Sequence, residues 1–446
     1  MTPETIAPTQ KAVGCKVYCK RVRASVDLPA LSEVFSGLRL PSILGGNPAK
    51  EEADGFSYWA AEPREVFEFN SDQKDPFGKL QQALDKYKLA DKPGNGLPKG
   101  VFCGGWVGYF GYELGRYIER LPETTVDDLR MPVVRLCFYD RLICYDHAEN
   151  NFVLIGLELP GDGESPEEKL GGLERVLSEA AELSVSPPRA ADLEGIDFAT
   201  IGCNIDRGYY LRAIEKIKRY IYDGEVYQIN FSQRFECDYS ARPADLFHWQ
   251  NRYNPSGYAA YIDAGDFQIV SASPEMFITI AEGVISTKPI KGTRRRLDES
   301  GSDGPTARGI NEKNFNELVR SEKEQAELNM IIDLERNDVA RICKAGTRKV
   351  VQPRTIESYP TVFHAVATVA GRLRDEISFC DIIRAMFPGG SITGAPKIRS
   401  MEIIDETEPT ARGVYTGSIG YIGLDASVSL NIAIRTIIIR GSKAFA

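Results

Sequence analysis

Hydrophobic positions in the first 160 residues fall into short runs: "SYWAAEP", "VFEF", "VFCGGWVGYFGY", "VVRLCFYDRLICY" and "NFVLIGLEL". Runs of this length, broken by turn residues, predict antiparallel strands with a few helices between them. The glycines of "CGGWVGYFGYELG" predict tight turns or close backbone approach. They do not make a dinucleotide fingerprint, because the spacing is wrong and no crossover helix follows. A seam comes next. "LPGDGESPEE" opens it with turn residues, a polar helix is expected over 167–183, and "SVSPPRAADLEG" reads as a connector. The division that follows is an N-terminal subdomain at 1–180, a linker at 181–206 and a second subdomain at 207–446.

Beyond the seam the pattern sharpens. In "YYLRAIEKIKRYIYDGEVYQINFSQRF", Leu211, Ile214, Ile217 and Ile221 recur at helical spacing, and Asp223-Gly224 supplies a stop. Residues 227–235 alternate as a strand. Ser378 with Asp381 forms a capping box ahead of "IIRAMF", and Pro388-Gly389-Gly390 ends that helix. "SVSLNIAIRTIII" reads as one strand. It carries Leu430, Ile432 and Ile434 on one face and Asn431, Ala433 and Arg435 on the other. Helices and strands alternate irregularly, which predicts α+β with antiparallel sheet rather than a doubly wound parallel one.

Composition narrows the function classes. Of 446 residues, 43% are hydrophobic and 26% charged, as in an ordinary soluble globular protein. A net charge of -9 argues against a general nucleic-acid or anionic-membrane binder, yet leaves room for a local basic pocket and a small anionic substrate. The apolar runs fall short of the roughly 18–20 residues of a membrane span. The first residues hold no apolar core of a secretion signal, so a cytoplasmic location is expected. Nine scattered cysteines without a CxxC pair predict reduced thiols. With only His147, His248 and His364, a histidine-based metal site is not expected.

Four groups could carry chemistry. In "ISTKPIKGTRRRL", Lys291 stands apart from the other cations, between Pro289-Ile290 and Gly292-Thr293. A free lysine has a pKa near ~10.4, so a nucleophilic one needs neighbours that lower it. Lys288, Arg294, Arg295 and Arg296 are candidates for that work; the plainer reading is a solvated basic face. In "SEKEQAELNMIIDLERND", Glu324 and Glu327 share a helix face. They suit Mg²⁺, which commonly takes one or two carboxylates and leaves the rest to water and substrate; the plainer reading pairs them with Lys323. In "FPGGSITGAPKIRSMEII", a glycine-rich turn precedes Pro396 at a helix start, where backbone N–H groups bind carboxylate or phosphate. Arg435, with Tyr415 of "RGVYTGSIGY", offers a carboxylate clamp or an ordinary structural ion pair.

Taken together these stretches resemble the chorismate-utilising enzymes, the family of anthranilate synthase component I. The resemblance runs through "FSYWAAEP", "GGWVGYFGYELGR", "DGEVYQINFSQRF", "SASPEMF", "PIKGTRRR", "AELNMIIDLERND", "FPGGSITGAPKIRSMEIIDE", "RGVYTGSIGY" and "IAIRT". No single piece is specific; their order and spacing are. The resemblance implies two large antiparallel sheets packed face to face, helices outside and the site between them. It also makes the second subdomain the chorismate-binding one.

Two positions separate members of the family. Those that add water carry a lysine where this chain has Gln228, which implies ammonia as the nucleophile here. Anthranilate synthases carry alanine in "PIAGT", whereas Lys291 in "PIKGT" is similar to the aminodeoxychorismate synthases. The implied chemistry is amination of chorismate at C4 through a Lys291 adduct. Glu275 would be the acid and His364 a second acid–base group. Glu327 and Glu324 would hold Mg²⁺, with Arg435, Tyr415, Gly292, Thr293, Ser391, Gly394 and Gln228 around the substrate.

No glutaminase motif is present, so the resemblance implies a glutamine amidotransferase partner, and a downstream lyase giving 4-aminobenzoate for folate. "PSILGGNPAK" and "NPSGYAAY" depart from the "LLES" and "NPSPYMF" of feedback-inhibited anthranilate synthases, so tryptophan inhibition is not expected. The family pattern continues past "IAIRT" into a glycine-rich strand and an acidic helix with a second Mg²⁺ glutamate, whereas this sequence ends at "RGSKAFA". The alternatives are therefore an anthranilate synthase component I, or a binding subunit without catalysis.

Overall fold

The computed structural model describes residues 12–46, 55–91, 96–186, 200–299 and 304–446. The residues at 187–199, which hold most of the expected connector, lie outside the described ones. The strands expected from the early apolar runs are present as Phe56–Ala60, Glu65–Phe69, Gly105–Phe110, Val134–Tyr139, Arg141–Asp146 and Asn151–Glu158. Among the described residues they join two large sheets, of 12 and 10 strands. Pairing is antiparallel throughout, except where Val13–Val22 meets Tyr87–Leu89. Both sheets take strands from both sides of the connector.

The burial pattern shows why the runs are apolar on consecutive positions rather than alternating. In the larger sheet, Tyr58, Leu142, Cys144, Val153 and Ile155 meet Val107, Cys137, Tyr139 and Tyr421 of the smaller sheet. Their neighbours in sequence, Trp59, Ile143 and Leu154, point the other way, into a core with Leu31, Phe35, Leu173, Leu177 and Phe247 from three helices. On the far side of the smaller sheet, Phe138, Phe277 and Leu430 pack with Leu328, Ile332, Ile383 and Ile404 from other helices. The result is helices, sheet, sheet, helices. A strand buried on both faces has no reason to alternate polar with apolar residues. This is the α+β architecture of two face-to-face antiparallel sheets that the sequence led us to expect.

The helices largely follow their caps. Ser165 and Ser378 close capping boxes on Pro166–Glu182 and Phe379–Met386. Ser321 caps Glu322–Ala340 by accepting from the Glu324 N–H. Pro396 is the N-cap of Lys397–Thr407 rather than its first residue. Arg207–Tyr222 forms and stops at Asp223 as expected, but its buried face is Ala213 and Ile217. Leu211 and Ile221 of the expected stripe are exposed.

Two expected strands are broken. Residues 227–235 yield only Gln228–Ile229, paired with Gly394–Ala395, and the start of Phe235–Asp238 in the larger sheet. Between them Asn230 donates to the Thr393 carbonyl and the Arg234 N–H to Asn204, so the backbone is claimed by other partners. "SVSLNIAIRTIII" splits into Val428–Asn431 in the smaller sheet and Thr436–Arg440 in the larger one. Local alternation cannot report a strand that changes sheets.

All nine cysteines are free thiols. Among the described residues no helix is long and apolar enough to cross a membrane.

Candidate active site

The site forms where paired strands leave one sheet for the other. Phe267–Ser273 and Thr436–Arg440 pair in the larger sheet, while Met276–Ala281 and Val428–Asn431 pair in the smaller. The crossings are residues 274–275 and 432–435, tied by the Ile432 N–H to the Glu275 carbonyl at 3.0 Å and the Ala272 N–H to the Arg435 carbonyl at 3.0 Å. Glu275 and Arg435 therefore stand at one switch point. Arg435 adopts φ 50°, a left-handed backbone that residues other than glycine take up uncommonly.

Lys291 comes to this point on a β-bulge. Ile290 pairs with Val366 and Thr293 with His364, so three residue steps on one strand face two on the other. Gly292 takes φ +96°, and a Cβ there would lie 2.8 Å from Leu318 and 3.0 Å from Glu324. Glycine is needed at such a bulge, and the bulge re-aims Lys291. The Lys291 Nζ donates to the Ser391 carbonyl at 2.9 Å. The other cations of the basic run do not gather on it, contrary to expectation. Lys288 pairs with Glu357 at 2.6 Å, Arg294 with Glu324 at 2.7 Å, and Arg296 donates to the Tyr359 carbonyl at 2.9 Å, while Arg295 is exposed. Glu324 on the helix Glu322–Ala340 draws Arg294 away, and Glu357 and Tyr359 at the end of the strand Lys349–Ser358 draw Lys288 and Arg296.

Glu275 is buried, and burial pushes its carboxyl above the ordinary glutamate range. A hydrogen bond from the Ser391 side chain, the Lys291 charge, the Ile290 N–H at 3.2 Å and Arg435 only partly offset this. A carboxyl so placed holds its proton more firmly than an ordinary glutamate. His364 is buried too. Its Nδ1 lies 2.9 Å from Thr293 Oγ1, and its Nε2 lies 3.5 Å from the Arg435 guanidinium. Arginine only donates, so Nε2 is the acceptor and the ring is neutral. Burial and Arg435 push its pKa down to about 4.

The remaining expected residues surround this cluster. Gly394 lies against Gln228 in the short two-stranded ladder, where a Cβ would meet the Gln228 carbonyl at 2.1 Å. The Gln228 Oε1 is buried without a partner among the described residues. Tyr415 precedes Thr416, whose N–H donates to the Ala433 carbonyl at 2.8 Å, two residues before Arg435. Arg435 has no carboxylate within ion-pair distance among the described residues, so its charge is free for an anionic ligand.

The two helix carboxylates differ. Glu324 has 17% side-chain exposure, with Oε1 on Arg294 and Oε2 buried and unpartnered. Glu327 has 35% and is 3.7 Å from Lys323, the partner that the plainer reading named. Among the described residues no group of three or more His, Cys, Asp or Glu side chains is placed to hold a metal. The pair with its orphaned oxygen fits an ion that completes its shell with water and substrate.

Sequence reasoning missed two residues that hold this site. Arg412 is buried and bridges Glu408, the Ile392 carbonyl and the Asn230 carbonyl. Glu335 is buried against the turn that carries Ser391. Glu335 was legible in principle, as an acidic position inside the buried stripe Leu328, Ile331, Ile332, Asp338 and Val339.

Comparison with known proteins agrees with this geometry. The chain is 40% identical over 347 residues to aminodeoxychorismate synthase component 1 of Bacillus subtilis (strain 168), covering 77% of this chain and 71% of that one. It is 37% identical over 376 residues to anthranilate synthase component 1 of Pseudomonas putida, covering 83% and 74%. Anthranilate synthase component I from Streptococcus pneumoniae TIGR4 superposes with a TM-score of 0.73 at 28% identity, covering 87% of this chain and 85% of that one. Residues 47–446 match the description chorismate binding enzyme, and the chain belongs to that family of chorismate-utilising enzymes.

Proposed function

We propose that this chain aminates chorismate at C4 to 4-amino-4-deoxychorismate, as an aminodeoxychorismate synthase component I, with ammonia supplied by a glutamine amidotransferase partner. The observation that carries the reading is an amine held beside a buried acid: the Ser391 carbonyl takes Lys291, and Lys291 and Ser391 both lie close enough to Glu275 to draw its carboxyl pKa down against burial. Relatives named component 1 support a partner that supplies a second component.

The unpaired Arg435, with Tyr415, Gly292 and Thr293 beside it, receives the enolpyruvyl carboxylate. Ser391 and Gly394 line the pocket. Glu327 and Glu324 would hold Mg²⁺, whose part when bound is to fix the ring carboxylate. The Lys291 nitrogen forms a bond to C2 through its lone pair, the C1–C2 and C5–C6 double bonds shift to C1–C6 and C4–C5, and the C4–O bond breaks. The oxygen leaves as water with the Glu275 proton, and the adduct's nitrogen returns a proton to Glu275. Ammonia then bonds to C4, both double bonds shift back, the C2–N bond breaks, and Lys291 departs as the amine, taking up the proton that the new C4 ammonium gives up. Two allylic displacements replace one poor direct substitution. The orphaned Gln228 Oε1 is placed to accept an N–H from the incoming ammonia, and neutral His364 keeps Arg435 oriented as an acceptor.

The test is incubation of the 446-residue chain with chorismate, Mg²⁺ and ammonium, with products separated by chromatography. 4-Amino-4-deoxychorismate is expected. Fluorescent anthranilate without added lyase would assign the chain to C2 chemistry instead. Chorismate binding without turnover would leave a binding subunit.

A further inference from the structure

The mechanism above makes no use of Glu335. It lies on Glu322–Ala340 and is 3% exposed. Its Oε1 accepts the Gly390 N–H at 3.2 Å, and its Oε2 is buried with no partner among the described residues. The nearest cation is already engaged: Lys397, from the helix Lys397–Thr407, pairs with Asp338 and donates to the Met386 carbonyl at 3.0 Å. Glu335 thus sits among Asp338 on its own helix, Lys397 from the next, and Glu275 from the strand crossing. Burial is the largest influence and raises its carboxyl pKa. A fold that needed only a filled space here would hold an apolar side chain at no desolvation cost.

What Glu335 touches explains its retention. Gly390 opens the turn Gly390–Ile392, which is pressed so closely on the helix that a Cβ on Gly390 would lie 2.3 Å from Leu334 and 3.1 Å from Glu335 Oε1. The next residue is Ser391, whose carbonyl takes Lys291 and whose side chain lies near Glu275. One peptide unit separates the Glu335 contact from both groups.

We propose that Glu335 is a positioning residue: its carboxyl clamps the Gly390 N–H and so sets where Ser391 presents its carbonyl to Lys291. The inference rests on the reading of Lys291 as the working amine.

Three variants of the full chain test it. E335Q keeps an acceptor for Gly390, E335L keeps the volume without one, and E335D keeps the charge but draws it back by a methylene. A misplacement of about 1 Å near reacting groups costs on the order of 10²-fold. E335L and E335D are therefore expected to lower kcat on chorismate by roughly 10- to 100-fold, with KM within about 3-fold. E335Q is expected to stay within about 3-fold in both.

A second measurement needs no chorismate. Acylation of Lys291 by an amine-selective reagent, followed by peptide mass spectrometry, is expected to change rate at least about 3-fold in E335L and E335D and to match wild type in E335Q. An inactive wild type would sink the proposed function and leave the labelling to decide this inference. Wild-type labelling in E335L and E335D, or E335Q as impaired as E335L, overturns it. Should E335L lack a wild-type melting transition, E335D carries the comparison.

Discussion

Two lysines and two arginines in this molecule make a controlled comparison. Lys169, 1% exposed, donates at 2.7 Å to Asp140, to Asp162 and to the Leu157 carbonyl. Arg412 is met by Glu408 at 2.7 and 2.8 Å, by the Ile392 and Asn230 carbonyls, by Thr416, and by the face of Tyr112 at 4.6 Å. These cations are fully used by the fold. Lys291 is half-buried with a single hydrogen bond among the described residues, to a carbonyl, and Arg435 has no ion-pair partner among them and a left-handed backbone. A buried cation with all its donors met is part of the scaffold. One left partly unmet, beside a buried acid, has capacity for a ligand.

Breaking each side of the comparison should break different things. Lys291→Ala is expected to lower C4 amination by on the order of 10³-fold or more, with thermal unfolding nearly unchanged. C4 amination that survives in this variant would refute the nucleophile role.

Lys169→Met should do the reverse. It strips Asp140 and Asp162 of the buried cation they share, leaving them to Arg64 and Arg141, and should cost about 1.5–3 kcal/mol in denaturant unfolding, with kcat retained by the folded fraction.

His364 sharpens the electrostatic side. Its folded pKa of about 4 lies below the ordinary value of 6.5, so the unfolded chain binds the extra proton between them. Its contribution to stability is present above pH 6.5 and is lost as pH falls toward 4, by roughly 3 kcal/mol. His364→Gln should remove that loss when unfolding free energies at the two pH values are compared with wild type. Glu275 and Glu335 run the other way, since raised carboxyl pKa values make stability fall as pH rises through the acidic range. The variant-minus-wild-type difference is therefore the quantity to measure.

Arg435→Ala is expected to raise the KM for chorismate roughly 10- to 100-fold through loss of a charge-assisted contact, with a smaller effect on kcat. The smallest effect is at Glu327. Its change to Gln should move the Mg²⁺ half-saturation point by about 10-fold, and an unmoved titration would return Glu327 to its pairing with Lys323.

Much of the fold was legible because it is local. Ser378 and Asp381 announce their helix by a hydrogen-bond reciprocity that spans one turn. The apolar runs of the N-terminal half announce strands because both faces of each are buried. The candidate site was legible only through the order of its motifs. The residues at 432–435 look like mid-strand in sequence, yet they are the crossing that places Arg435. Glu335 looks like one more charge on a helix rich in charge, and only the approach of Gly390 gives it a partner.

By itself the sequence determined which residue types were available: one lysine set apart at a glycine, an acid in "SPEMF", two carboxylates three apart on a capped helix, and an arginine in "IAIRT". Short-range chemistry suffices for that, since caps, bulge glycines and apolar runs act over a few residues. Only the tertiary structure decided that Lys291 reaches Ser391 beside the buried Glu275, that the neighbouring arginines turn to other partners, and that Arg435 is left without a counterion. Those outcomes depend on strands that pair over a hundred residues apart and on which carboxylates the packing brings within reach. Long-range pairing and desolvation are set by the whole folded chain, so no local stretch encodes them.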